Sequence, residues 1–196
     1  MSETAACRAV LAPWCVGLGL DIGYGGDAVV PGVGTFDRKG GSYGAVGNDP
    51  QMYQGDCRDL STFCDGSRDF IYSSHLVEDF HYHEIIPLIR EWRRVLGACS
   101  NAEAARFREL REHIPIPDAI KESGLRGLLI TNCPDQQKFL AHCAATGQGL
   151  NMNHKESDFS LKTFRQVLAL TGEWEELFVE PEAGAYSWYL VVRKVG

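Results

Sequence analysis

Short apolar runs alternate with amphipathic stretches along most of the chain, the pattern of strands joined by helices in an α/β fold. Residues 16–22 are continuously apolar except for Asp21, as expected of a strand covered on both faces. Residues 33–36, 52–54 and 70–72 read as three further strands, and 124–130 as a turn leading into a fifth. Helical periodicity marks 84–96 and 161–170, and also 134–146, with Asp135 and Gln136 in its first turn and Gly147 after its end. Residues 174–180 and 187–194 read as two strands joined by a Pro-Glu-Ala-Gly turn, a closing antiparallel hairpin. The expected fold is a mostly parallel sheet with helices on both faces.

The segment GLDIGYGGD, residues 19–27, ends the first apolar run. Gly23, Gly25 and Gly26 allow a sharp turn that brings backbone N–H groups against a ligand. Asp21, inside the strand, needs a partner if buried, either a ligand or local amides. Asp27 and Asp37 stand ten positions apart with Pro31 and Gly32 between them, so the first crossover helix is expected to be short or absent. At the tip of the second strand, Asp37 can accept both hydroxyls of a ribose or face water beside Arg38 and Lys39. Residues 40–50 form a glycine-rich polar loop.

Three further segments carry chemistry: GDCRDL at 55–60, DFIYSSHLVEDF at 69–80 and EWRRVL at 91–96. With GLDIGYGGD they resemble the class I S-adenosylmethionine (SAM) dependent methyltransferases, in particular small-molecule enzymes of the methyltransferase type 11 kind. The resemblance implies a Rossmann-like sheet and a SAM site built from Asp21, Gly23, Tyr24, Gly25, Gly26, Asp37, Asp56, Cys57, Ser73 and Ser74. By the same resemblance Asp56 accepts the adenine amino hydrogens and the Cys57 amide meets a ring nitrogen; Arg58 and Asp59 read alternatively as a surface ion pair. The family's S-x-H-x-L-E-H pattern is present with Asp79 in place of its last histidine. His75 is the candidate general base, with an ordinary pKa near 6.5, or else it orients the cofactor or fills a helix N-terminus. Tyr24 offers its ring to the sulfonium or packs on the turn. Glu78 and Asp79 read as the acidic start of a helix. An Asp/Asn-Pro-Pro-aromatic tetrapeptide is absent from this position, which argues against amino methylation of DNA.

The match to the family's E-W-x-R-V-L-K-P-G-G segment ends at Gly97, and a helical insert over about 97–126 intervenes before strand five. Ser100 and Glu103 form a capping box within it. A substrate lid, a homodimer contact and an inert decoration are its three open uses. In the loop 151–160, Asn153 and Lys155 are candidate acceptor-binding residues and His154 a second candidate base; capping by Asp158 or Ser160 is the plainer reading.

With 196 residues and 44% apolar content, the chain is expected to be one domain, 1–196. A net charge of −7 disfavours a nucleic-acid partner, and no run of 18 apolar residues suggests a membrane span. The seven cysteines lack C-x-x-C spacing, which fits a reducing, cytoplasmic setting and neither a disulfide framework nor a zinc ribbon. His81 and His83, two apart, do not share a helix face, so no metal is expected. The expected activity is transfer of the SAM methyl group to oxygen or nitrogen of a small-molecule acceptor. A catalytically silent SAM-binding module and an NAD-linked reductase are the alternatives.

Overall fold

The computed structural model describes residues 2–38, 49–97, 126–146 and 159–196. Seven strands form one sheet: β1 (Gly19–Ile22), β2 (Gly34–Asp37), β3 (Tyr53–Gln54), β4 (Phe70–Ser74), β5 (Leu128–Pro134), β6 (Trp174–Ala183) and β7 (Ser187–Lys194), in the order β3-β2-β1-β4-β5-β7-β6. The first five are parallel, and β7 is antiparallel to both β5 and β6. Among the described residues four α-helices accompany them: α1 (Glu3–Leu11), α2 (Tyr82–Val95), α3 (Gln136–Thr146) and α4 (Leu161–Thr171).

Alternate residues of each strand serve opposite layers. Ile22, Phe36, Ile71, Leu129 and Leu190 pack with α2 and α4, where Leu88, Trp92 and Phe164 are fully buried. On the other face Phe70, Tyr72, Ile130 and Val191 pack with Cys7 and Leu11 of α1 and with Val29 and Val33.

The β1–β2 connection is made of turns, as the short spacing requires. Its place over the sheet is taken by α1, a helix that the sequence analysis did not predict. Ser2 caps α1 by accepting from the Ala5 amide at 2.9 Å. The first strand starts later than residue 16, because the Leu18 amide donates to the Asp69 carboxylate (2.8 Å) and the Asp69 amide to the Leu18 carbonyl (2.8 Å). The helix expected at 84 begins at Tyr82, since Glu84 reaches back to accept from the His81 amide at 3.2 Å. Glu78 and Asp79 lie before it in a separate 3-10 turn, Val77–Asp79, which ends at extended Phe80. They therefore do not form the acidic first turn of α2. The insert and the loop at 40–50 fall largely on residues 98–125 and 39–48, outside the described residues.

Candidate active site

The strand order reverses between β1 and β4, the place where open α/β sheets bind ligands at the carboxyl ends of their strands. There a cleft of about 180 Å³, open to solvent, is lined by Gly23, Phe36, Asp37, Cys57, Leu76 and Phe80, among others. Gly23 (φ 74°) and Gly25 (φ 58°) take left-handed backbone that side chains beyond glycine adopt at a penalty. A Cβ at Gly23 would press on the Leu76 side chain at 3.0 Å, whereas nothing among the described residues lies within 4 Å of the position at Gly25. The turn thus brings backbone to the edge of the cleft.

The acids on and beside the strands differ in surroundings. Asp37 lies in the cleft wall, accepting from the Gly25 amide at 3.4 Å and the Arg38 amide at 2.7 Å. Asp21 faces the α1 layer and is 1% exposed. Its Oδ2 accepts from the Val29 amide at 2.7 Å, while Oδ1 has no hydrogen-bond partner among the described residues. Burial, opposed by the Val29 amide, pushes its carboxyl up to about 8, so near neutral pH it is largely the uncharged acid. Asp21 therefore ties the turn to the sheet beneath the cleft.

Asp56 stands at the rim, held down to about 2 by its hydrogen bonds to Arg58. Arg58 approaches both its oxygens, at 3.0 and 2.6 Å, and Arg38 adds a contact at 3.4 Å. Arg58 also reaches Glu84 at 2.6 Å; its ion-pair partners are Asp56 and Glu84, while Asp59 accepts from the Ser61 amide. Cys57 is buried in the cleft wall, its thiol pushed up to about 12 by burial. Tyr24 turns its hydroxyl to the Asp49 carbonyl at 3.2 Å, and the Gly26 carbonyl accepts from the Asp49 amide at 3.0 Å. Ser73 is fully buried with no hydrogen-bond partner among the described residues for its hydroxyl. The Ser74 hydroxyl accepts from the Asn132 amide group at 3.1 Å.

The EWRRVL segment, conspicuous in the sequence but without an assigned task there, holds the cleft wall from behind. The Trp92 indole donates to the Cys57 carbonyl at 2.9 Å. Glu91 accepts from the Leu60 amide at 2.9 Å, and Arg94 donates to the Leu60 and Phe63 carbonyls at 3.0 Å each. These bonds fix the chain after β3 against α2.

His75 follows β4 next to Leu76 of the cleft wall. Its ring lies against Glu3 of α1, Glu78 and Ser187. The sequence reading missed Glu3 and Ser187 because both reach His75 from distant parts of the chain. A cue existed for α1: Ser2 and Glu3 precede Cys7 and Leu11, spaced by four on one helix face. The structure brings Gly23, Asp37, Cys57 and, at the rim, Asp56 to one cleft; Asp21 lies beneath the turn. Asn153, His154 and Lys155 lie outside the described residues. Among the described residues no group of three His, Cys, Asp or Glu could hold a metal ion, and no helix is long and apolar enough to cross a membrane.

No protein-family model and no curated protein matches the sequence. Solved structures do match. The PH0226 protein from Pyrococcus horikoshii OT3 superposes with a TM-score of 0.62 at 15% identity, over 96% of this chain and 88% of that one. A SAM-dependent methyltransferase from Archaeoglobus fulgidus gives 0.61 at 12% identity, over 97% and 92%. A SAM-dependent methyltransferase from Thermotoga maritima, described as a possible histamine N-methyltransferase, gives 0.58 at 16%, over 98% and 88%. The chain has the fold of the class I SAM-dependent methyltransferases, and at these identities the likeness defines the fold.

Proposed function

We propose that the protein is a SAM-dependent methyltransferase that moves the methyl group to an oxygen or nitrogen of a small-molecule acceptor. The observation that carries this reading is the cleft at the sheet's reversal point, where a glycine turn and the carboxylate of Asp37 meet apolar walls. Those residues fit an adenosyl compound. Asp37 offers acceptor oxygens to a ribose diol, Phe80 and Leu76 offer apolar surface to a flat base, and Cys57 lies in the wall where the adenine would sit. Asp56 would share its carboxylate between the adenine amino group and Arg58.

When bound, SAM supplies a methyl already activated on a sulfonium, so the chain's tasks are to align the acceptor, exclude water and, where needed, take a proton. His75 is the base in this account. The antiparallel β7 between β5 and β6 departs from the six-stranded parallel order of dinucleotide folds and weighs against the NAD-linked alternative. Small-molecule acceptors suit a surface of net charge −7 better than a polyphosphate chain does. Production of S-adenosylhomocysteine when SAM and a metabolite extract are supplied tests the reading. SAM binding without turnover in any extract would instead favour a silent SAM-binding module.

A further inference from the structure

His75 is the one non-glycine residue among the described residues with left-handed backbone, φ 51°, a conformation of order 1–3 kcal/mol above the common ones and concentrated at functional sites. Its amide donates to the Asn132 carbonyl at 2.8 Å, which anchors it across β4 and β5. The ring is flanked by carboxylates on both nitrogens. Nδ1 lies 3.8 Å from Glu78 Oε1, an ion-pair distance rather than a hydrogen bond, with the Glu78 side chain only 2% exposed. Nε2 lies 3.5 Å from Glu3 Oε2, on a side chain 44% exposed, and 3.3 Å from Ser187 Oγ. The Tyr186 phenol donates to the other Glu3 oxygen at 3.1 Å and sets its ring edge-on to the imidazole.

Building on the methyl-transfer reading, we propose that Glu78 and Glu3 are positioning residues for His75: one beside each ring nitrogen, they orient the imidazole and steady the imidazolium that forms when it takes the acceptor's proton. The proton leaves the acceptor's O–H or N–H for a ring nitrogen, and the bonding pair stays on the acceptor heteroatom. Two carboxylates within about 4–6 Å favour the charged ring and make the imidazole a stronger base than a solvated histidine. Among the described residues the groups facing it include Glu78 from the 3-10 turn, Glu3 from α1, Tyr186 from the β6–β7 turn and Ser187 at the start of β7. Burial and Glu3 push the Tyr186 phenol up to about 12, so it stays neutral. Glu3 is delivered by α1, which is fastened to the sheet by the contact between Cys7 Sγ and Tyr72 Oη at 3.0 Å. The N-terminal helix thereby completes the site from the far end of the sequence.

An NMR titration of the histidine ring resonances, with His75 assigned by its loss in His75→Asn, tests this without turnover. The wild-type midpoint is expected above the ordinary value of about 6.5, and Glu78→Gln is expected to lower it by about one pH unit. Glu3→Gln lowers it by less, and calorimetric SAM affinity stays within about twofold of wild type in both. A wild-type midpoint at or below about 6.5, or no change in either variant, overturns the proposal while SAM binding leaves the functional reading standing. If Glu78→Gln fails to fold, Glu3→Gln at its exposed position supplies the same test, and an unmoved midpoint there overturns the proposal. Failure of the wild-type protein to bind SAM overturns the functional reading itself, and the base role with it.

Discussion

The sheet face beneath α2 and α4 is sealed by aromatic and aliphatic side chains from two long amphipathic helices, whereas the face beneath α1 mixes apolar packing with buried polar ties. On the first face the covering helices follow strands closely in sequence, and their stripes meet the sheet at i, i+3 and i+4 positions such as Leu88, Trp92 and Val95. On the second, a helix from the chain's start stands in for the missing β1–β2 helix. It is held by Arg8 and Ser2 on Asp27, by Arg8 on the Ala28 carbonyl at 3.0 Å, and by Cys7 against Tyr72. The difference teaches that the first face supplies stability, while the second connects stability to the site. Asp27 ends the glycine turn, and Glu3 reaches His75.

That contrast can be broken most severely at Trp92, whose ring is fully buried and whose indole supports Cys57. Trp92→Ala is expected to lower the unfolding free energy by about 3–5 kcal/mol in chemical denaturation; a loss below about 1 kcal/mol would mean that the α2 layer does not carry the core.

On the α1 face the pH dependence of Asp21 sharpens the comparison. Folding raises this carboxyl to about 8, so its contribution is complete below its unfolded value of about 4 and is lost as pH climbs through the folded value. Asp21→Asn keeps an acceptor for the Val29 amide and never ionises. It should be more stable than wild type by a few kcal/mol at pH about 9 and close to equal at pH about 4. Parallel stability curves across that range would refute a neutral buried acid.

A smaller effect is expected at the exposed end of the same face. Asp27→Ala removes the carboxylate shared by Ser2 and Arg8 and should reduce stability by about 1–2 kcal/mol. It should also increase proteolytic cleavage near α1. Unaltered protease sensitivity would show that α1 is held by its apolar stripe without these ties.

Legibility in the sequence follows the same division. The strands at 33–36 and 70–72, the helices at 84–96 and 161–170, and the closing hairpin were readable because periodicity and turn residues are local signals. Each boundary lies within a few residues of its observed element, and the late start of β1 follows from Asp69, a residue fifty-one positions away from Leu18. The glycine turn and Asp37, which the structure places at one cleft, were legible as strand-end features because strand ends and turns announce themselves by composition. The partners of His75 were not. Glu3 and Ser187 are brought to it by tertiary packing, and Glu78, read as the acidic start of a helix, lies in a separate 3-10 turn and is buried beside the imidazole. The alternative pairing of Arg58 with its neighbour Asp59 likewise came from sequence proximity, whereas the fold gives Arg58 to Asp56 and Glu84.

The central proposal, that the cleft lined by Gly23 and Asp37 holds an adenosyl sulfonium, is tested most directly by titration calorimetry with SAM and with NADH on the wild-type protein and on Asp37→Ala. The account predicts saturable SAM binding to wild type, no measurable binding to Asp37→Ala, and no heat with NADH. Equal SAM affinity in the two proteins, or binding of NADH in place of SAM, would contradict it.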